Sequence, residues 1–328
     1  MQQSHPVHQG FIAMPQISAN GLQFEYESFG DAKAPALLLI MGLGGQMIQW
    51  PDEFCEGLAG AGYHVIRFDN RDVGLSTRLG HAGKPKLMRA GLLAMLRLPV
   101  RAPYTLSDMA EDAIGLLDAL KIKTAHVVGI SMGGMIGQIL AAKHGARVRS
   151  LVSIMSSSGN PRLPGPSLKL KLRMVKRPQQ LDRESLIQHS MQTWRLIGSP
   201  AYPAAADALR SKVERAFDRA TYPQGLARQT LAILASGSRV PLLRRIHAPT
   251  LIIHGDQDPL VPVAAAHDLA RHISGAQLEI IPGMGHDLPS QLLPQLQRLI
   301  LRHLKRATAP QAQAQALRKR EKARKASR

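Results

Sequence analysis

The segment AHVVGISMGGMIGQILAAKH reads as a strand, a Gly-rich turn and a helix, and it sets Ser131 between Gly129 and Gly133. A serine raised on a sharp strand-to-helix turn needs small residues two positions away, because a β-carbon there would crowd the strained backbone. Its hydroxyl then stands clear of the strand at the positive end of the following helix, where a developing oxyanion would be stabilised. The plainer alternative is a serine that caps an ordinary helix. A hydroxyl is a weak nucleophile at neutral pH, so the chemistry requires a histidine base and a carboxylate to orient it.

Both residue types follow in the order Ser, acid, His. TLIIHGDQDPLVP places Asp256 and Asp258 in a loop after an apolar run. Asp258 lies deeper, where the chain turns back at Pro259, and is expected to orient the imidazole, leaving Asp256 to shape the turn. GMGHDLP places His286 in a Gly-flexed loop after another apolar run, whereas the other downstream histidines, His267, His272 and His303, fall in helix-like runs. Two amides are needed for an oxyanion. Met132, directly after the serine, supplies one, and Leu43 in LLLIMGLGGQM is the candidate for the other. Those early glycines do not make a dinucleotide loop, since position 47 is Met where the third glycine should stand. No phosphate-loop or zinc-helix spacing occurs either, so no cofactor and no metal are expected. The single cysteine, Cys55, excludes an intrachain disulfide and any paired-cysteine site.

The elements that must hold these residues are legible as strand-like runs at 22–30, 35–42, 63–70, 125–130, 150–157, 250–255 and 276–283. The first suits an antiparallel edge. The later ones are continuously apolar and separated by helix-length segments, as in a mostly parallel sheet with flanking crossover helices. Between 157 and 250 no comparable strand appears, and the segment opens on the Pro-rich SGNPRLPGPS before reading as helices. The expected layout is an α/β core at 20–159 and 246–306, an inserted helical cap at 160–245, an N-terminal extension at 1–19 and a disordered basic tail at 307–328. With 328 residues, 45% of them hydrophobic, the chain can bury such a core.

The charge of +19 is unevenly spread. The last eleven residues hold seven basic side chains and one Glu, and residues 160–248 carry sixteen basic against five acidic groups. With 4% aromatic residues and no nucleic-acid-binding motif, this reads as a solvated basic surface, not a specific nucleic-acid site. Weak contact of the tail with anionic surfaces is the alternative. The start of the chain lacks a secretory pattern and no long apolar run occurs, so a soluble, cytoplasmic protein is expected. The apolar stretch 90–101, flanked by cations, reads as a wall or lid over the site, with a membrane-interface contact as the other reading. Trp50 reads as packing, and Asp69, Asn70, Arg71 and Asp72 as a structural loop network.

Taken together, LLIMGLGGQMIQWPDEFCEGLAGAGYHVIRFDNRDVGLST and HVVGISMGGMIGQ resemble the α/β-hydrolase superfamily, and within it the bacterial esterases related to aclacinomycin methylesterase. The resemblance covers residues 20–160 and 246–304. It implies hydrolysis of a small-molecule carboxylic ester, of small to medium size and apolar, methyl esters among them, with Ser131 as nucleophile, His286 as base and Asp258 as orienter. The sequence departs from the common pattern at Met41, where many members have His, and at Asp72 in DNRDVGLS, where many have Gly. Other chemistries of the same fold are an aminopeptidase, a C–C bond hydrolase and a perhydrolase. The aminopeptidase would need cap carboxylates, and the cap offers Asp182, Glu184, Asp207, Glu214 and Asp218. A non-catalytic ligand-binding protein on this scaffold is the reading from another class.

Overall fold

The computed structural model describes residues 15–83, 85–175, 180 and 182–308. Its strands are β1 (Gln16–Ala19), β2 (Leu22–Phe29), β3 (Ala36–Ile40), β4 (His64–Phe68), β5 (Ala125–Ile130), β6 (Val148–Ile154), β7 (Thr250–Gly255) and β8 (Gln277–Ile281). They form one sheet in the order β1-β2-β4-β3-β5-β6-β7-β8. The β1–β2 and β2–β4 pairs are antiparallel and the other pairs are parallel. Every residue of β3, β4, β5 and β7 is buried, the burial expected of parallel strands covered on both faces.

Two expectations need correction. Residues 22–30 are antiparallel, but they are not the edge; β1 lies outside them, paired from Gln16 to Ala19. The sheet therefore begins inside the stretch assigned to an N-terminal extension. QISA is four residues long with only its last residue buried, so it carries almost no apolar signal. At the other end a helix spans 293–308 with Ala307 buried, so the boundary drawn after 306 cuts through a packed helix. The rest of the expected basic tail, 309–328, lies outside the described residues.

The helices between strands are α1 (Asp52–Gly60), α2 (Leu87–Met95), α3 (Leu106–Ala119) and α4 (Met132–Lys143), with α10 (Ala264–His272) between β7 and β8 and α11 at 293–308. Between β6 and β7 lie α5 (Leu168–Val175), α6 (Arg183–Ile197), α7 (Ala206–Arg219), α8 (Pro223–Ser236) and the short α9 (Val240–Leu243). Alternate strand residues feed opposite layers. Leu38, Ile40 and Val127 pack with Leu116, Ile136 and Leu140 of α3 and α4. Leu37, Leu39 and Val128 pack with Phe54 and Leu58 of α1 and with Leu296, Ile300 and Leu304 of α11. Local signals fix some ends: Thr105 and Asp108 form a reciprocal capping box on α3. Trp50, fully buried, stacks on Phe54 at 5.6 Å and is a packing residue.

The inserted helices have a small apolar cluster of their own, Ile187, Met191, Leu209 and Val213. Polar anchors pin them to the core. Arg228 of α8, fully buried, reaches both carboxylate oxygens of Asp72, at 2.8 and 2.9 Å, and Arg219 of α7 meets Asp69 at 2.7 Å. Asp72 also accepts from Tyr104 Oη and from the Leu79 amide, both at 2.8 Å. The 69–72 cluster is thus a structural network, in which Asp72, at a left-handed φ of 66°, ties α8 to the loop after β4.

Candidate active site

Ser131 follows the last residue of β5 and precedes α4 with φ 53° and ψ −116°, a strained conformation for a non-glycine residue. Its amide is held by Ile154 O at 2.9 Å and its carbonyl by Ser156 Oγ at 2.8 Å. The flanking glycines are required by close approach. A Cβ on Gly129 would lie 2.2 Å from Gly133 O, and one on Gly133 would lie 2.1 Å from Ile40 O. The turn is therefore wedged between its own helix and the end of β3.

Across from it, His286 Nε2 lies 3.0 Å from Ser131 Oγ, and His286 Nδ1 lies 2.6 Å from Asp258 Oδ2. The other Asp258 oxygen accepts from the Leu260 and Val261 amides at 2.9 and 2.8 Å. Burial opposes ionisation of Asp258, but hydrogen bonds from His254 and His286, the His286 charge and the Val261 amide outweigh it and hold the carboxyl at about 2. Asp256 is exposed and accepts from the Gly283 amide at 2.7 Å, tying the β7 loop to the β8 loop. His267 is exposed, His272 bonds Asp268 O within its own helix, and His303 bonds Pro249 O. The structure brings Ser131, His286 and Asp258 together and leaves these rivals apart.

The loop after β3 closes over the serine, since a Cβ on Gly42 would come 3.2 Å from Ser131 Cβ. Its amides are distinguishable. Gly44 N–H donates to Gln229 Oε1 at 2.8 Å and Gly45 N–H to Gly42 O at 3.1 Å. Among the described residues the Leu43 amide has no protein acceptor, and Met132, the first residue of α4, lacks an intrahelical one.

Several positioning groups carry no signal in local spacing. His254, fully buried, has Nε2 2.7 Å from Val261 O and 3.4 Å from the Asp258 carboxylate, so Asp258 faces two imidazoles. Ser199 Oγ donates to Asp287 Oδ1 at 2.5 Å and accepts from the Gly285 amide at 2.8 Å, while the His286 amide donates to Ile197 O at 2.6 Å. The C-terminal end of α6 and the residues just after it thereby hold the histidine loop. Only the i,i+4 spacing of His254 and Asp258 could have been read in advance. A cavity of about 690 Å³ opens between the inserted helices and the core; Trp194, Leu209, Lys212, Pro259, Asp287 and Leu288 are among its walls, and neither Ser131 nor His286 is. Among the described residues no cluster of His, Cys, Asp and Glu could hold a metal ion.

A serine, an imidazole and a buried carboxylate in series can pass the serine proton to nitrogen. Comparison with known proteins gives the family. Residues 35–290 match the family model of the alpha/beta hydrolase fold. Rhodomycin D methylesterase DnrP of Streptomyces peucetius is 32% identical over 302 residues, covering 86% of this chain and 95% of that protein. Rhodomycin D methylesterase DauP of Streptomyces sp. (strain C5) is also 32% identical, over the same shares. Among solved structures, the enol-lactonase from Burkholderia xenovorans LB400 superposes with a TM-score of 0.68 at 24% identity, over 89% of this chain and all of that one, a likeness of fold.

Proposed function

This chain belongs to the α/β-hydrolase family, and from that premise we propose that it is a serine esterase of small to medium apolar carboxylic esters, methyl esters among them. The observation that carries the proposal is the unbroken hydrogen-bonded series Ser131 Oγ, His286 Nε2, His286 Nδ1, Asp258 Oδ2, spanning 3.0 and 2.6 Å. The two methylesterase relatives give the ester class. In this reading Ser131 attacks the ester carbonyl as His286 takes its proton, and the Leu43 and Met132 amides stabilise the oxyanion. The imidazolium returns the proton to the departing alcohol. Water, activated by the same imidazole, then releases the acid from Ser131. Asp258 stays ionised throughout and fixes the imidazole with Nδ1 carrying its proton.

The inserted helices between β6 and β7 act in this proposal as the cap that shapes the substrate's surroundings. Four of their five carboxylates already have partners, which weakens the aminopeptidase reading; the fifth, Asp207, is exposed in the first turn of α7. Asp182 caps α6, Glu184 and Glu214 meet Arg210, and Asp218 meets Arg183. None of these four is left to bind a substrate ammonium. Turnover of p-nitrophenyl acetate and butyrate by the purified protein tests the function, with Ser131→Ala expected to lower kcat on the order of 10⁴-fold or more. A variant that kept a tenth of the activity would contradict it.

A further inference from the structure

Helix α2 departs from the usual pattern of a surface helix. Seven of its nine residues, LMRAGLLAM, are Leu, Met or Ala. Ala90 is buried and Leu93 and Ala94 are half-buried, so that arc faces inward, where α2 packs on α8. The outer arc is apolar as well. Met88 is 93% exposed, Leu92 54%, Met95 74% and Leu96 57%, and their i, i+4, i+7, i+8 spacing aligns them on one face. An outward helix face this apolar is ordinarily covered.

The surrounding charge says what covers this one. From Val73 to Ser107 the chain carries six Lys and Arg and no Asp or Glu. Lys86, Arg89, Arg97 and Arg101 are exposed, and none is paired with a carboxylate among the described residues. A second copy of the chain seated on this face would bring two positive rims together. An anionic lipid surface takes the apolar side chains below its headgroups and the cations among them. Nine residues of helix are far too few to span a bilayer, so α2 would lie in its plane. We propose that α2 is an interfacial anchor that lays this protein on an anionic phospholipid bilayer.

The test uses the full chain. Cys55 is buried and is the chain's single cysteine, so Met88→Cys gives one accessible thiol for an environment-sensitive NBD label. Vesicles of phosphatidylcholine containing phosphatidylglycerol should shift the NBD emission to the blue, and lipids brominated along their acyl chains should quench it. Vesicles of phosphatidylcholine alone should do neither. The triple variant Met88→Glu, Leu92→Glu, Met95→Glu should lose at least about tenfold in vesicle partitioning while melting as the parent does, because all three side chains are already in water. The label distinguishes α2 from the basic C-terminal residues, which attract a vesicle by charge without placing residue 88 in hydrocarbon. Emission that stays water-like on vesicle-bound protein overturns the proposal. So does a dimer that the triple variant dissolves, with no vesicle binding by the parent, which would make a second copy the occupant.

Discussion

Asp72→Gly, which restores the residue common in related sequences, should destabilise this protein substantially. The substitution removes the carboxylate that pairs a fully buried guanidinium, leaving Arg228 only the neutral acceptors Tyr222 Oη and Gly83 O, and it also removes the partner of Tyr104 Oη and of the Leu79 amide. Removing one member of a buried ion pair typically costs about 3–5 kcal/mol, because the remaining charge is desolvated and unpaired. Glycine at φ 66° returns a little of this, on the order of 1 kcal/mol. At about 2–3 °C per kcal/mol for a chain of this size, the melting temperature should fall by roughly 4–12 °C. Arg228→Met in the same background should recover most of the loss, since the orphaned charge is then gone. Thermal and urea unfolding of the two single variants and the double variant measure this directly. If Asp72→Gly alone melts with the parent, or if the double variant is as weak as the two losses added, α8 is not anchored by this pair.

Asp258→Asn should lower kcat on the order of 10⁴-fold, as the wrong imidazole tautomer would face Ser131, while Asp256→Asn, which disturbs only the turn to Gly283, should stay within a few-fold of the parent. Because the folded Asp258 carboxyl is held at about 2, below its ordinary 3.8, its contribution of roughly 2 kcal/mol is fully present above pH 4 to 5 and is lost as pH falls through 2. The stability gap between the parent and Asp258→Asn should therefore narrow from pH 5 to pH 2, and a constant gap would argue against the ionised carboxylate. Gly133→Ala must push its methyl against Ile40 O at 2.1 Å, so it should cost the elbow, and with it soluble expression or several kcal/mol of urea stability.

Residues whose meaning is local were legible in the sequence. The glycines at 129 and 133, the serine between them and the Asp and His after the last two apolar runs could be placed because strand, turn and helix each leave a short-range signature. What escaped is what depends on partners far along the chain. Asp72 looked like a departure from pattern, and its partner, Arg228, lies 156 positions away. The Gln229 bond that takes the Gly44 amide, leaving Leu43 free, spans 185 positions. Strand β1 is too short and polar to announce itself, and finds its place only by pairing with β2. The stretch 90–101 was recognisable as apolar with cationic flanks, but its composition does not tell which arc of the helix faces water; that is set by how α2 seats on α8.

In the proposed function, ester hydrolysis runs through the hydroxyl of Ser131. A fluorophosphonate reacts covalently only with a serine made nucleophilic by its base, so the direct measurement is to titrate the protein with it, follow p-nitrophenyl butyrate hydrolysis, and map the adduct by peptide mass. One equivalent should abolish the activity, with the label on the peptide carrying Ser131 and no label in Ser131→Ala. Hydrolysis that survives full labelling of Ser131, or an inactivating adduct on another residue, would exclude Ser131 as the nucleophile.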